Sequence, residues 1–114
     1  MTSVGVGARR GVSAEEVLAA VDDVLPGQSS AVRLVTIDTR VTEPGIVEAA
    51  ARRGWPLAGY PASRLARVSV PAPSERVRHH AGTGSVAEAA ALLDGGTLLV
   101  GKTVHGRVTV AVAT

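Results

Sequence analysis

Apolar and polar positions alternate at the amino end, Ser3-Val4-Gly5-Val6-Gly7, which predicts a short strand whose glycines leave room for another backbone or a ligand. After a basic loop, Ala8-Arg9-Arg10-Gly11, the period changes. Ser13-Ala14-Glu15-Glu16 is a capping box, and Val17, Leu18, Val21, Val24 and Leu25 follow at helical spacing until Pro26-Gly27 stops the helix. Residues 28–31 read as loop, and Val32-Arg33-Leu34-Val35-Thr36-Ile37 reads as a second strand. Asp38-Thr39-Arg40-Val41-Thr42-Glu43 leads into a second helix. Pro44 suits its first turn, Ile46, Val47, Ala50 and Ala51 form its buried stripe, and Gly54 ends it after Arg52 and Arg53. A short third strand falls within residues 55–60, one or two helical turns within 61–67, and an extended run within 68–73. Ser74 is placed to cap a short turn through Val77.

Gly82-Thr83-Gly84 then opens into a third main helix, with Ser85 as its N-cap, Glu88 completing a second capping box, and Asp94-Gly95-Gly96 as its stop. Thr97–Val100 and Arg107–Val112 read as strands, and the stretch from Gly101 to Gly106 is short enough for an antiparallel hairpin. This order predicts one domain over residues 1–114. The expected fold is α/β, a three-layer α/β/α sandwich with a mixed, mostly parallel sheet and a C-terminal antiparallel hairpin. Right-handed crossovers put the loops after the first two strands on one edge, and the third helix is expected to start there too. Three segments then converge: Gly7–Gly11, Asp38–Glu43 and Gly82–Ser85. Open α/β sheets bind ligands at this carboxyl edge. Taken locally, Gly82–Ser85 is only a turn into a capped helix; the convergence makes it a candidate anion-facing wall.

Composition narrows the partners. The 114 residues include no Phe, one Trp and one Tyr, so the core must close by packing Ala-rich helices on Val-rich strands. The formal charge is only +2 and the arginines are scattered, which leaves no dense basic face with stacking aromatics for nucleic acid. Cysteine is absent, so disulfides and thiolate metal sites are excluded. The amino end carries no apolar run after a basic start, and no segment approaches a membrane span, so a soluble cytoplasmic protein is expected.

Candidate chemistry is confined to the converging loops. Gly5-x-Gly7-x-x-x-Gly11 is one residue longer than the dinucleotide fingerprint, and Asp38 sits where such a domain needs an acid. Arg9 and Arg10 occupy the loop where close backbone approach is wanted, so nucleotide binding is a minority reading. Asp38, Thr39, Arg40 and Glu43 could supply an acid, a base and an anion clamp, or equally a turn brace and a helix cap. His79, His80 and His105 lack the spacing of a metal site, and neither a metal nor a cofactor is expected. Arginine forks carboxylates and phosphates bidentately, so a polyanionic small molecule fits these loops best.

The sequence resembles the cobalamin-biosynthesis family of CobE and the C-terminal domain of CbiG. The resemblance rests on residues 5–13, on Thr36-Ile37-Asp38-Thr39-Arg40-Val41-Thr42-Glu43-Pro44-Gly45, on residues 84–92, on Lys102, and on Val108–Val112; it covers essentially the whole chain in order. It implies a role at the corrin-ring stage of vitamin B12 synthesis. The ligand would be a polycarboxylated precorrin, handled together with other corrin-pathway enzymes. Ligand-facing positions would be Gly7, Arg9, Arg10, Asp38, Thr39, Arg40, Glu43, Gly82, Thr83, Gly84, Ser85 and Lys102. The apolar face of the macrocycle would need exposed Trp55, Leu57 or Tyr60. CbiG-like proteins open the δ-lactone of a cobalt-precorrin and release acetaldehyde, which makes lactone hydrolysis with Asp38 or Glu43 as general base the alternative. Two departures weaken it: Ala8 stands where many relatives have Cys, and Arg40 where lysine is usual. An accessory role is therefore expected, with no catalytic residue assigned.

Overall fold

The alternating amino-terminal segment is β1 (Thr2–Ala8), the middle strand of a five-stranded sheet. After it come α1 (Ala14–Val24), β2 (Val32–Ile37), α2 (Pro44–Arg53), β3 (Leu57–Tyr60) and a single helical turn, α3 (Ala62–Leu65). They are followed by α4 (Val86–Ala91), β4 (Leu98–His105) and β5 (Val108–Ala113). The computed structural model describes residues 2–25, 31–68, 86–93 and 96–114. The Pro26-Gly27 stop, most of the 28–31 loop, the 69–73 run, the Ser74 turn, His79 and His80, the Gly82–Ser85 loop and Asp94-Gly95 lie outside the described residues.

The strand order is β3-β2-β1-β5-β4. β1 pairs in parallel with β2 and β2 with β3, whereas β5 runs antiparallel to both β1 and β4. Among the described strands, all but β5 therefore point the same way. The expected mixed sheet with a terminal hairpin is what forms, and helices cover both of its faces.

The two faces have different chemistry because β1 alternates. Val4 and Val6, with Val32 and Leu34 of β2 and Val108, Val110 and Val112 of β5, make a face covered by Val17 and Val21 of α1 and Ile46 and Ala49 of α2. The opposite face is built of small residues. Ala111 and Ala113 meet Ala87, Ala91 and Leu92, and Val35 meets Leu65, Ala89 and Ala90. Gly5 is where α4 comes closest. A β-carbon there would lie 1.8 Å from the Ala87 carbonyl oxygen and 2.7 Å from the Ala91 nitrogen. The glycine admits a backbone rather than a ligand, and it lets a chain almost without aromatics close its core.

Terminal signals hold at α1 and α2, but the buried stripe of α2 is Ile46, Ala49 and Ala50, while Val47 (44% exposed) and Ala51 face out. Glu16 N–H donates to Ser13 Oγ at 3.1 Å while Ser13 N–H donates to Glu16 Oε2 at 3.3 Å, the reciprocal pair of a capping box. Pro44 occupies the first turn of α2, and Gly54 closes it in the left-handed region at φ 68°. Arg52 and Arg53 tie α2 to α1 through Glu15 and Asp22.

One boundary is corrected. Residues 101–105 are not part of a connection: β4 continues through His105, and the hairpin turns over Gly106-Arg107, with Gly106 at φ 63°. β4 is an edge strand that keeps Gly101, Lys102, Val104 and His105 exposed, so no apolar alternation marks it. Register shifts between Leu98 and Thr103 absorb the glycine. No helix among the described residues is long and apolar enough to cross a membrane.

Candidate functional site

β1, β2 and β3 all end on one edge of the sheet, and the loops after β1 and β2 are fastened to each other there. Arg40 Nε donates to the Ala8 carbonyl at 3.0 Å, and the Gly11 N–H donates to Glu43 Oε1 at 2.9 Å. Glu43 occupies the N-cap position of α2 but makes no side-chain capping bond, because its carboxylate crosses to Gly11. Gly45 lets the two loops touch; a β-carbon there would lie 2.1 Å from the Val12 carbonyl oxygen. Gly11 itself needs its glycine for a φ of 86°.

A residue that sequence reasoning passed over completes this brace. Arg107, in the hairpin turn, donates through one nitrogen to the Gly11 carbonyl at 3.3 Å and to both oxygens of Glu16 at 2.8 and 2.9 Å. Its hydrogen bond is the main cause that holds the Glu16 carboxyl below the usual carboxylate range, against a smaller opposing effect of desolvation. Both backbone groups of Gly11 are thereby held, one by α2's carboxylate and one by the hairpin. Arg107 lies 91 residues from Glu16, and no local pattern links them.

With Arg40 and Glu43 committed to the backbone, the groups left facing solvent are Arg9, Arg10, Asp38 and Thr39, all exposed. Among the described residues no side-chain hydrogen bond or ion pair engages either guanidinium of Arg9 or Arg10. Asp38 is anchored by its backbone, whose N–H donates to the Tyr60 carbonyl at 2.8 Å. Gly7, one residue before the end of β1, is half-buried, and among the described residues a β-carbon there would meet only Thr109, at 3.9 Å. Nothing among the described residues demands a glycine at that position.

The sequence-derived positions thus divide. Gly7, Arg9, Arg10, Asp38, Thr39, Arg40 and Glu43 come together at the carboxyl edge. Gly82, Thr83, Gly84 and Ser85 lie outside the described residues. Lys102 is elsewhere: its neighbour Thr103 pairs with Val110 and Val110 with Val6, so it stands level with the middle of β1 and two strands away. Its backbone N–H donates to Glu88 Oε2 at 2.9 Å, tying α4 to the edge strand. The aromatic candidates also separate. Trp55 and Leu57 pack against the larger core cluster at the amino end of β3, with Arg53 over the indole at 5.4 Å. Tyr60 alone is at the carboxyl edge, half-buried, with the Arg64 guanidinium 5.0 Å from its ring centre. His105 lies 3.9 Å from Asp23, and among the described residues no three potential ligands gather to hold a metal.

The geometry is that of an open α/β sheet whose carboxyl edge carries exposed arginines on mutually braced loops, the edge at which sheets of this class place their ligands. The chain belongs to the family described as cobalamin synthesis G C-terminus, whose model matches residues 2–113. Among curated proteins it is 33% identical to a cobalt-precorrin-5A hydrolase from Priestia megaterium, covering 97% of this chain and 31% of that protein. It is 40% identical to the protein CobE from a Sinorhizobium species, covering 96% and 77% respectively. The chain thus spans about a third of the hydrolase's length and most of CobE's. Of solved structures, CobE from the cobalamin biosynthetic pathway superposes with a TM-score of 0.78 at 29% identity, covering 99% of this chain and 92% of that one. The cobalamin biosynthesis protein chiG from Agrobacterium tumefaciens gives 0.73, also at 29% identity, covering 100% and 98%. The sequence resemblance and the fold agree: this is a cobalamin-biosynthesis family protein.

Proposed function

We propose that the chain is a cytoplasmic, accessory corrinoid-handling domain that binds a polycarboxylated corrin intermediate at the carboxyl edge of its sheet and acts beside other enzymes of the pathway. The observation that carries this reading is the pair of exposed guanidiniums, Arg9 and Arg10, on a loop whose backbone is held at Gly11 from two sides. A braced loop loses little freedom on binding, so two forks presented together suit the acetate and propionate arms of a corrin rim. The names of the relatives supply the ligand class.

The test is a titration of the full chain with dicyanocobyrinic acid, a corrin whose rim carries free acetate and propionate arms, followed in the visible spectrum. Arg9→Ala with Arg10→Ala should weaken binding at least about ten-fold, since a hydrogen bond to a charged group contributes roughly 1.5–3 kcal/mol. The melting temperature should be unchanged. An unaltered affinity in the double variant, or no spectral response by wild type, refutes the reading.

The 33% identity to a cobalt-precorrin-5A hydrolase favours a second reading, hydrolysis of the cobalt-precorrin lactone. Glu43 already accepts the Gly11 N–H, which leaves Asp38 as the exposed carboxylate for general-base work. Incubation with that lactone and an acetaldehyde assay separates the two: the accessory reading expects no product.

A further inference from the structure

The loops after β2 and β3 leave the sheet toward opposite faces. α2 packs on the valine face with α1, whereas α3 joins α4 on the small-residue face. Diverging connections of this kind open a crevice at the carboxyl ends of the strands. On the α4 side of that crevice, one row of residues crosses the sheet. Ile37 pairs with Tyr60, Gly7 pairs with Thr109, and the constant β1–β2 register continued by two residues sets Gly7 beside Ile37. The face is fixed by three contacts. Gly5, two residues before Gly7, points at α4; the β-carbon position of Gly7 points at Thr109; and Ile37 and Tyr60 pack on the cluster of Leu65, Ala89 and Ala90.

All four residues of the row are half-buried, in contrast to Ala111, Gly5 and Val35 in the row below, which are buried. Strands lie about 4.8 Å apart, so the row from Thr109 to Tyr60 spans roughly 14 Å, wide enough to underlie a tetrapyrrole-sized ring. At the centre of the row, among the described residues, only Thr109 comes within 4 Å of a β-carbon at Gly7. Tyr60 closes one end, and the exposed Arg64 lies over its ring, its guanidinium making no hydrogen bond or ion pair to any described residue. An aromatic face orients a guanidinium while leaving its N–H fork free.

We propose that Thr109, Gly7, Ile37 and Tyr60 form the floor on which the apolar face of a corrin macrocycle lies, and that Arg64 takes a rim carboxylate at its far end. The proposal rests on the corrinoid reading and assigns the end of the site opposite Arg9 and Arg10. The floor supplies dispersion and apolar burial, which rim contacts alone cannot.

Tyr60 is the chain's single tyrosine and Trp55 its single tryptophan, and they sit at opposite ends of β3. The full chain, with both rings carbon-13 labelled, would be titrated with dicyanocobyrinic acid while the visible spectrum and the ring resonances are recorded together. The expected result is that Tyr60 shifts along the same saturation curve as the visible change and Trp55 stays put. Arg64→Ala should weaken binding about ten-fold without altering the melting temperature. Gly7→Val, which puts a branched side chain at the centre of the row, should abolish saturation within the accessible concentration range while the chain stays folded. A visible change with Tyr60 unmoved, or with Trp55 moving equally, overturns the floor and leaves the corrinoid reading standing. No visible change overturns both.

Discussion

Gly5→Ala tests the packing that the fold depends on most. The added β-carbon would lie 1.8 Å from the Ala87 carbonyl oxygen, 2.7 Å from the Ala91 nitrogen and 2.8 Å from the Ala87 carbonyl carbon. All three are backbone atoms, so no side chain can rotate away; α4 has to retreat by roughly 1.5 Å. A gap of even 0.5–1 Å forfeits about a quarter to a half of the dispersion well, and overpacking costs about 1–3 kcal/mol. Replacing a strand glycine returns roughly 0.5–1 kcal/mol of backbone entropy. A rigid backbone obstacle puts the strain at the top of its range, so the net loss should be about 2 kcal/mol. At about 4 °C per kcal/mol for a domain of this size, the melting temperature should fall by roughly 8 °C. Thermal melts followed by circular dichroism, with urea midpoints beside them, measure this directly. Gly7→Ala is the internal control, because it lies on the same strand and face but among the described residues its β-carbon meets only Thr109, at 3.9 Å. It should be neutral or slightly stabilising. Equal losses in the two variants, or a Gly5→Ala shift under about 2 °C, would refute the close-approach argument.

Other expectations follow from single contacts. Thr36 is fully buried and its hydroxyl donates to the Val6 carbonyl at 2.7 Å, so Thr36→Val should cost about 1 kcal/mol in urea unfolding; no loss would mean the bond contributes nothing net. Glu43→Ala removes the acceptor of the Gly11 N–H, and amide exchange at Gly11 should accelerate about ten-fold with little change in global stability. Protection that persists would show that Arg107 alone holds the loop. Three carboxyls are held below their ordinary values: Glu15 by its own backbone N–H and then Arg52, Glu16 by Arg107, and Asp22 by Arg53. The folded chain binds these protons more weakly than the unfolded chain does. Their stabilisation is therefore complete above their ordinary values of 4.5 and 3.8 and is lost as pH falls below them. Melting temperatures should decline on acidification through that window, and a rise would contradict the assignment.

The sequence by itself determined the elements whose signals are local. The Ser13–Glu16 capping box, the proline start and glycine stop of α2, and the valine alternation of β1 each depend on residues within one turn or one strand, where propensity and hydrogen-bonding chemistry act without help. Element order then led to the three-layer sandwich and to one edge bearing the loops after β1 and β2, because crossover handedness allows little else. Roles within those loops were not legible. Arg40 and Glu43 look like a clamp and a base in the sequence, yet they are fastened to backbone atoms 32 residues away in each case. Arg107 gave no signal, since its partners come from the other end of the chain. The aromatic candidates were alike in composition, and only strand direction separated Tyr60 from Trp55. β4 was cut short because an exposed edge strand carries no buried alternation. Tertiary structure decided which glycine admits a helix and which, among the described residues, meets only Thr109, because Gly5 and Gly7 look alike in the sequence and are told apart by what stands opposite them.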